Sequence, residues 1–188
     1  MTTTADDILS KTEEKMQKAI QATQNELTTV RTGRANPMML DRITLDYYGT
    51  PTAIKQMANI SVQEGTTLVI QPYDRTQLAE IERAISKSDL NLPANNDGQV
   101  IRLNIPPLSE ERRKEMVKSI KKMGEEGKVA VRNIRRDATA DIEKLKKAEN
   151  LPEDEVKQRQ DKVQKLTDRY TGQLDQMIVE KEKELLQV

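Results

Sequence analysis

The chain has 188 residues, of which 33% are charged and only 35% hydrophobic, with no Phe and no Trp. That is too little bulky apolar material for a compact globule, but helices need only one narrow apolar stripe each. The absence of Cys and His excludes disulfides, thiol catalysis, Cys/His zinc sites and histidine acid–base chemistry, and it fits a reducing, cytoplasmic setting.

The N-terminal stretch is acidic and leads into no apolar run, so it does not read as a signal peptide. No segment approaches the roughly 20 apolar residues of a membrane span. A first helix is predicted over residues 5–30, with small or apolar side chains at Ala5, Ile8, Thr12, Met16, Ala19, Thr23, Leu27 and Val30. Asp6 and Asp7 lie in its first turn, where the helix dipole favours them.

Residues 31–105 change character, punctuated by Gly33, Pro37, Gly49, Pro51, Gly65, Pro72, Pro93 and Gly98. Strand-like runs fall at 43–48, 58–62, 67–70 and 100–105, with one helix over 76–86. Tyr47 and Tyr48 precede a Gly49-Thr50-Pro51 turn; one is expected in the insert's core and the other over its surface. This reads as a small α/β domain inserted into a helical one. Its two tethers, Arg31-Thr32-Gly33-Arg34 and Pro106-Pro107, are the expected hinge segments.

The second long helix should begin after Pro107, with Ser109 as N-cap and Glu110 and Glu111 in the first turn. Its stripe runs Met116, Ile120, Met123, Gly127, Val131, Ile134, Ala138, Ile142, Leu145. Asn150-Leu151-Pro152 breaks it near Glu149. A third helix starts at Pro152–Glu155, with Val156, Val163, Leu166, Tyr170, Leu174, Met177 and Leu185 as its stripe. Three long helices with one stripe each predict an elongated antiparallel three-helix bundle from residues 1–30 and 106–188. The fold class is therefore α+β, mostly α.

Formal net charge is zero, with 31 basic and 31 acidic side chains, but the distribution is uneven. Residues 112–136 hold ten basic and three acidic side chains. On a wheel at about 100° per residue, Lys114, Lys118, Lys121, Lys128, Arg132, Arg135 and Arg136 form one ridge opposite the apolar stripe. Solvated helix faces normally mix signs, because stacked like charges repel by a few tenths of a kcal/mol per pair. A ridge that keeps this repulsion points to a polyanion, RNA or DNA. Without aromatics it would read phosphates and shape rather than bases.

Nothing comparable points to chemistry. No glycine pattern matches a phosphate-binding loop. Gly124 and Gly127 lie inside the second helix, each less favourable there than Ala by about 1 kcal/mol; Gly127 falls on the stripe, where it would permit close helix approach. Asp6/Asp7 and Glu153-Asp154-Glu155 are spaced for a metal but explained as first-turn carboxylates. A hydrolytic triad cannot be built without His. No enzyme activity, cofactor or metal is expected.

Five segments, Arg31-Thr-Gly-Arg-Ala35, Asp46-Tyr-Tyr-Gly-Thr-Pro51, Pro106-Pro-Leu-Ser-Glu-Glu-Arg-Arg113, Val129-Ala-Val-Arg-Asn-Ile-Arg-Arg-Asp-Ala138 and Val163-Gln-Lys-Leu-Thr-Asp168, resemble the hallmarks of bacterial-type ribosome recycling factors, in the same order and spacing. The resemblance implies an L-shaped molecule of tRNA-like dimensions, with a three-helix bundle as one arm and a hinged β/α/β sandwich as the other. It implies binding to the post-termination 70S ribosome between the subunits. With elongation factor G, and GTP hydrolysis on that partner, such factors split the subunits and free the messenger RNA. It places large-subunit ribosomal RNA on Arg132, Arg135 and Arg136, and elongation factor G against the insert. A monomer is expected. Two features depart from the family pattern: the glycines at 124 and 127, and the lack of Phe. Rival readings are a coiled-coil adaptor, which would be indifferent to ribosomes, and a general nucleic-acid-binding rod, which would bind random duplex RNA equally well.

Overall fold

The computed structural model describes residues 4–186, and the chain divides into two compact units. One runs to Val30 and resumes at Arg113; the other is Arg31–Arg112.

The first unit is built from α1 (Ala5–Thr28), α4 (Glu110–Glu149, from Arg113 onward) and α5 (Glu153–Leu186). Thr4 and Asp7 close a capping box at the start of α1, the threonine hydroxyl accepting from Asp7 N and Thr4 N donating to the Asp7 carboxylate at 2.9 Å. The Ser109 hydroxyl accepts from Arg112 N at 3.2 Å, the cap expected for α4. Asn150, at φ +51°, reverses the chain after α4, and Leu151 N reaches back to Lys146 O. The helices α4 and α5 are thereby antiparallel neighbours.

Their stripes meet as the 3.6-residue period requires. Ile8 packs with Ala138, Ile142, Val156 and Val163, and Met16 with Val131, Tyr170 and Leu174. Advancing along α1 thus moves backward along α4 and forward along α5. The interior is lean, and its buried threonines are self-satisfied: the hydroxyls of Thr12, Thr23 and Thr167 donate to the carbonyls of Ile8, Ala19 and Val163. The Tyr170 hydroxyl donates to Glu13 Oε1 at 3.0 Å, tying α5 to α1. Tyr170→Phe is expected to lower bundle stability by about 1 kcal/mol, the net value of such a bond, as read by denaturant unfolding.

The second unit contains β1 (Thr44–Tyr47) and β2 (Thr50–Ala53) as an antiparallel ribbon, followed by the one-turn helix α2 (Ile54–Met57). A four-stranded antiparallel sheet has the order β3-β4-β6-β5, from β3 (Ala58–Gln63), β4 (Thr67–Pro72), β5 (Ala94–Asn96) and β6 (Ile101–Asn104). The helix α3 (Leu78–Lys87) buries Leu78, Ile81 and Ile85 in one core with Leu68, Ile70, Ile101 and Leu103. In the turn before β6, Asp97 accepts from the backbone N–H groups of Val100 and Gln99 and from Arg102, and these bonds hold its carboxyl down to about 2.

Sequence periodicity did not reveal β2 or β5. The strand β2 contains Pro51, which argues against a strand except on an edge, and the two-stranded ribbon supplies that edge. The strand β5 is three residues of Ala and Asn with no pattern of its own; it exists because β6 pairs with it. Tyr48, at φ +50°, forms the hairpin tip with Gly49 and is exposed, while Tyr47 is half-buried. Neither reaches the core where one was expected.

Candidate nucleic-acid interface

The seven cations singled out by charge all lie on α4, but the structure divides them into two rows. Lys121, Lys128 and Arg135, spaced by seven residues, turn toward α5. Lys121 Nζ lies 3.7 Å from Glu182 Oε1. Lys128, whose side chain is only 22% exposed, pairs with Asp175 and lies 3.9 Å from Glu125. Arg135 Nη1 donates to Gln164 Oε1 at 3.3 Å, and Gln164 Nε2 donates to Asp168 Oδ1 at 2.9 Å. The carboxylates at 182, 175 and 168 step backward by seven as the cations step forward by seven. Two antiparallel helices produce this match, because seven residues are close to two full turns.

The other row faces water. Lys114, Lys118, Arg132 and Arg136 are exposed. Arg132 Nη1 shares Glu125 with Lys128, at 3.2 Å from its Oε1. Lys118 and Arg136 have no ion-pair or hydrogen-bond partner among the described residues. Arg135 and Arg136 also line an open groove of about 490 Å³ with Thr139, Gln160, Asp161 and Gln164. Lys118 and Arg136 are thus available to phosphates at once, whereas the inner row must first leave α5.

Gly124 and Gly127 explain how α4 comes so near its neighbours. A Cβ at Gly124 would sit 2.5 Å from Ile178 Cγ1 of α5. At Gly127 it would meet Thr23 Oγ1 of α1 at 2.6 Å and Leu174 Cδ2 of α5 at 3.2 Å. Gly127 was legible as a stripe residue. Gly124 lay off the expected stripe and is nevertheless buried.

The expected hinge residues all belong to the Arg31–Arg112 unit. Arg31 donates to Asp89 O at 3.3 Å, and Thr32 is buried. Gly33, at φ +75°, holds a backbone shape that side chains resist, and a Cβ there would lie 3.4 Å from Leu108 N. Pro106 and Pro107 are exposed. The stretch after Pro107 packs beside Gly33, and the unit runs on to Arg112. No three Asp or Glu side chains gather as a metal site among the described residues. Nor, among them, is any helix long and apolar enough to cross a membrane.

Comparison with known proteins gives one family. The model of the ribosome recycling factor family matches residues 23–186. The ribosome-recycling factor of Thermosynechococcus vestitus is 57% identical over 180 residues, spanning 96% of this chain and 99% of that protein. A solution structure of the ribosome recycling factor superposes with a TM-score of 0.82 at 40% identity, over 100% of both chains. A second solved structure has a TM-score of 0.69 at 41% identity, over 97% of this chain and 99% of the other. It places the T. thermophilus ribosome recycling factor, with the E. coli elongation factor G, on the E. coli post-termination complex.

Proposed function

This chain belongs to the ribosome recycling factor family, and from that premise we propose that it binds the post-termination 70S ribosome and, with elongation factor G and GTP, separates the subunits and releases mRNA and tRNA. The chain performs no chemistry of its own in this reading. It acts as a cytoplasmic monomer and needs no cofactor. The observation that carries the reading is the outer row of α4: exposed cations on one long helix, two of them, Lys118 and Arg136, without protein partners among the described residues. Large-subunit ribosomal RNA is the polyanion that fits a ribosome-bound factor. Arg136 and Lys118 take its phosphates directly, and Arg132 does so on leaving Glu125. Arg135, Lys128 and Lys121 join by releasing Gln164, Asp175 and Glu182.

The insert supplies the second contact, to elongation factor G. Among the described residues the chain passes between the units at Val30–Arg31 and at Arg112–Arg113, beside the segments Arg31–Arg34 and Pro106–Pro107. These segments serve as the hinge through which a push on the insert is relayed to the bundle, and so to the intersubunit contacts. The test is subunit dissociation followed by light scattering, with and without the chain, elongation factor G and GTP. Splitting is expected only with all three; equal splitting by elongation factor G and GTP alone would overturn the reading.

Two further outcomes follow from the divided ridge. Ribosome affinity should fall linearly on a log–log plot against salt, because each phosphate contact releases counterions. Asp175→Asn should tighten binding several-fold at low salt and steepen that slope by about one unit, because Lys128 then becomes one more phosphate ligand. Unchanged affinity would mean that Lys128 never leaves the bundle.

A further inference from the structure

Besides the ridge, the bundle carries a second cationic groove, on the opposite flank of α5. Lys162, Lys165 and Arg169, at i, i+3 and i+7, share one edge of that helix. With Ser10 and Glu13 of α1 they line an open groove of about 460 Å³, floored by Leu9 and Leu166. Lys162 and Lys165 are exposed and have no ion-pair or hydrogen-bond partner among the described residues. Arg169 is exposed but held in place, 3.7 Å from Glu13 Oε1 and 5.6 Å from the centre of the Tyr170 ring. The one acid in the groove, Glu13, is already engaged by Arg169 and by the Tyr170 hydroxyl. Its charge is therefore largely answered by the protein, and the groove keeps two uncompensated cations.

The charge pattern of α5 separates this groove from the ridge. Asp161, Gln164, Asp168 and Asp175 face the α4 side, whereas Lys162, Lys165 and Arg169 face the α1 side. We propose that the α1–α5 groove is a second RNA phosphate-backbone site, so that the bundle is held from two flanks at once. The proposal rests on the ribosomal reading of the chain. RNA fits better than an acidic protein surface for two reasons. Three cations in line over about 10 Å follow a linear polyanion. The groove also has no exposed aromatic or large apolar anchor of the kind protein interfaces use. Two flanks also do what one cannot: a single row of phosphate contacts permits rocking about its own axis, and a second row on the far side of α5 removes that freedom.

The test is pelleting of the full chain with purified 70S ribosomes over a series of KCl concentrations. Lys162→Gln/Lys165→Gln is expected to weaken binding about ten-fold at 200 mM relative to wild type, if each lost phosphate lowers the salt slope by 0.7–0.9. The charge-keeping Lys162→Arg/Lys165→Arg should restore both affinity and slope. Both lysines are exposed, so thermal melts of the variants should match wild type. Unchanged affinity and slope in the glutamine variant, with normal salt-dependent binding by wild type, would overturn the second site and leave the ribosomal reading standing. A weakened variant with an unaltered slope would assign the groove to a protein surface and also overturn it. Failure of wild type to bind ribosomes would remove the reading and the groove together.

Discussion

Replacing Arg132 and Arg136 together by alanine should weaken ribosome binding about a hundred-fold at low salt and abolish subunit splitting at ordinary protein concentrations. Both side chains are exposed on the outer row of α4. Arg136 has no protein partner among the described residues, and Arg132 has only Glu125. Two charge-assisted contacts at about 1.5 kcal/mol each amount to roughly 3 kcal/mol, or two decades of affinity. The salt slope should fall by nearly two units in the same variant. Neither side chain contributes to the core, so the melting curve should not move. Arg135→Ala should have a smaller effect than either outer-row change, because its guanidinium is shared with Gln164 before RNA arrives. An Arg132→Ala/Arg136→Ala protein that binds and recycles like wild type would remove the ridge as the RNA-binding surface.

The second large effect concerns the bundle itself. Gly124→Ala is expected to destabilise it by about 2 kcal/mol, although alanine is the better helix former by about 1 kcal/mol. The added Cβ would lie 2.5 Å from Ile178 Cγ1 and 2.7 Å from its Cδ1. The first of these atoms sits on a β-branched carbon in a helix, where χ1 is nearly fixed, so Ile178 cannot simply turn away. The helices α4 and α5 must part instead, and overpacking of this kind typically costs 1–3 kcal/mol. The sign should reverse when the obstacle is removed: in an Ile178→Ala background the same substitution should stabilise, by up to about 1 kcal/mol. Denaturant unfolding of the four proteins gives the double-mutant cycle. Stabilisation by Gly124→Ala in both backgrounds would show that the close approach of α4 and α5 plays no part. Gly127→Ala should behave similarly, with Thr23 as the neighbour that must give, because its hydroxyl is already committed to Ala19 O.

Other features differ in how far they could be read from the chain. The apolar steps from Ala5 to Leu27 were readable because a helix repeats every 3.6 residues whatever surrounds it, and Ala5, Ile8, Thr12, Met16, Thr23 and Leu27 are the residues α1 buries. The Ser109 cap and the Asn150-Leu151-Pro152 break are equally local. By contrast, β5 exists only through pairing with β6, in which Ala94 lies opposite Leu103. The inner and outer rows of the ridge could not be separated on a single wheel. The repeat of seven in Lys121, Lys128 and Arg135, echoed by Asp168, Asp175 and Glu182, was the available signal.

The amino-acid order alone set the three long helices, their buried stripes, the concentration of positive charge in residues 112–136 and the exclusion of thiol and histidine chemistry. Each depends on period, cap or composition, which act over one or two turns. The tertiary structure alone decided which cations stay free and which are held by α5. It also decided why α4 carries glycine at 124, and that Lys162, Lys165 and Arg169 share a groove with α1. These depend on the register of one helix against another. Register joins residues tens of positions apart and is settled by the best joint packing of all three stripes, not by any segment read alone.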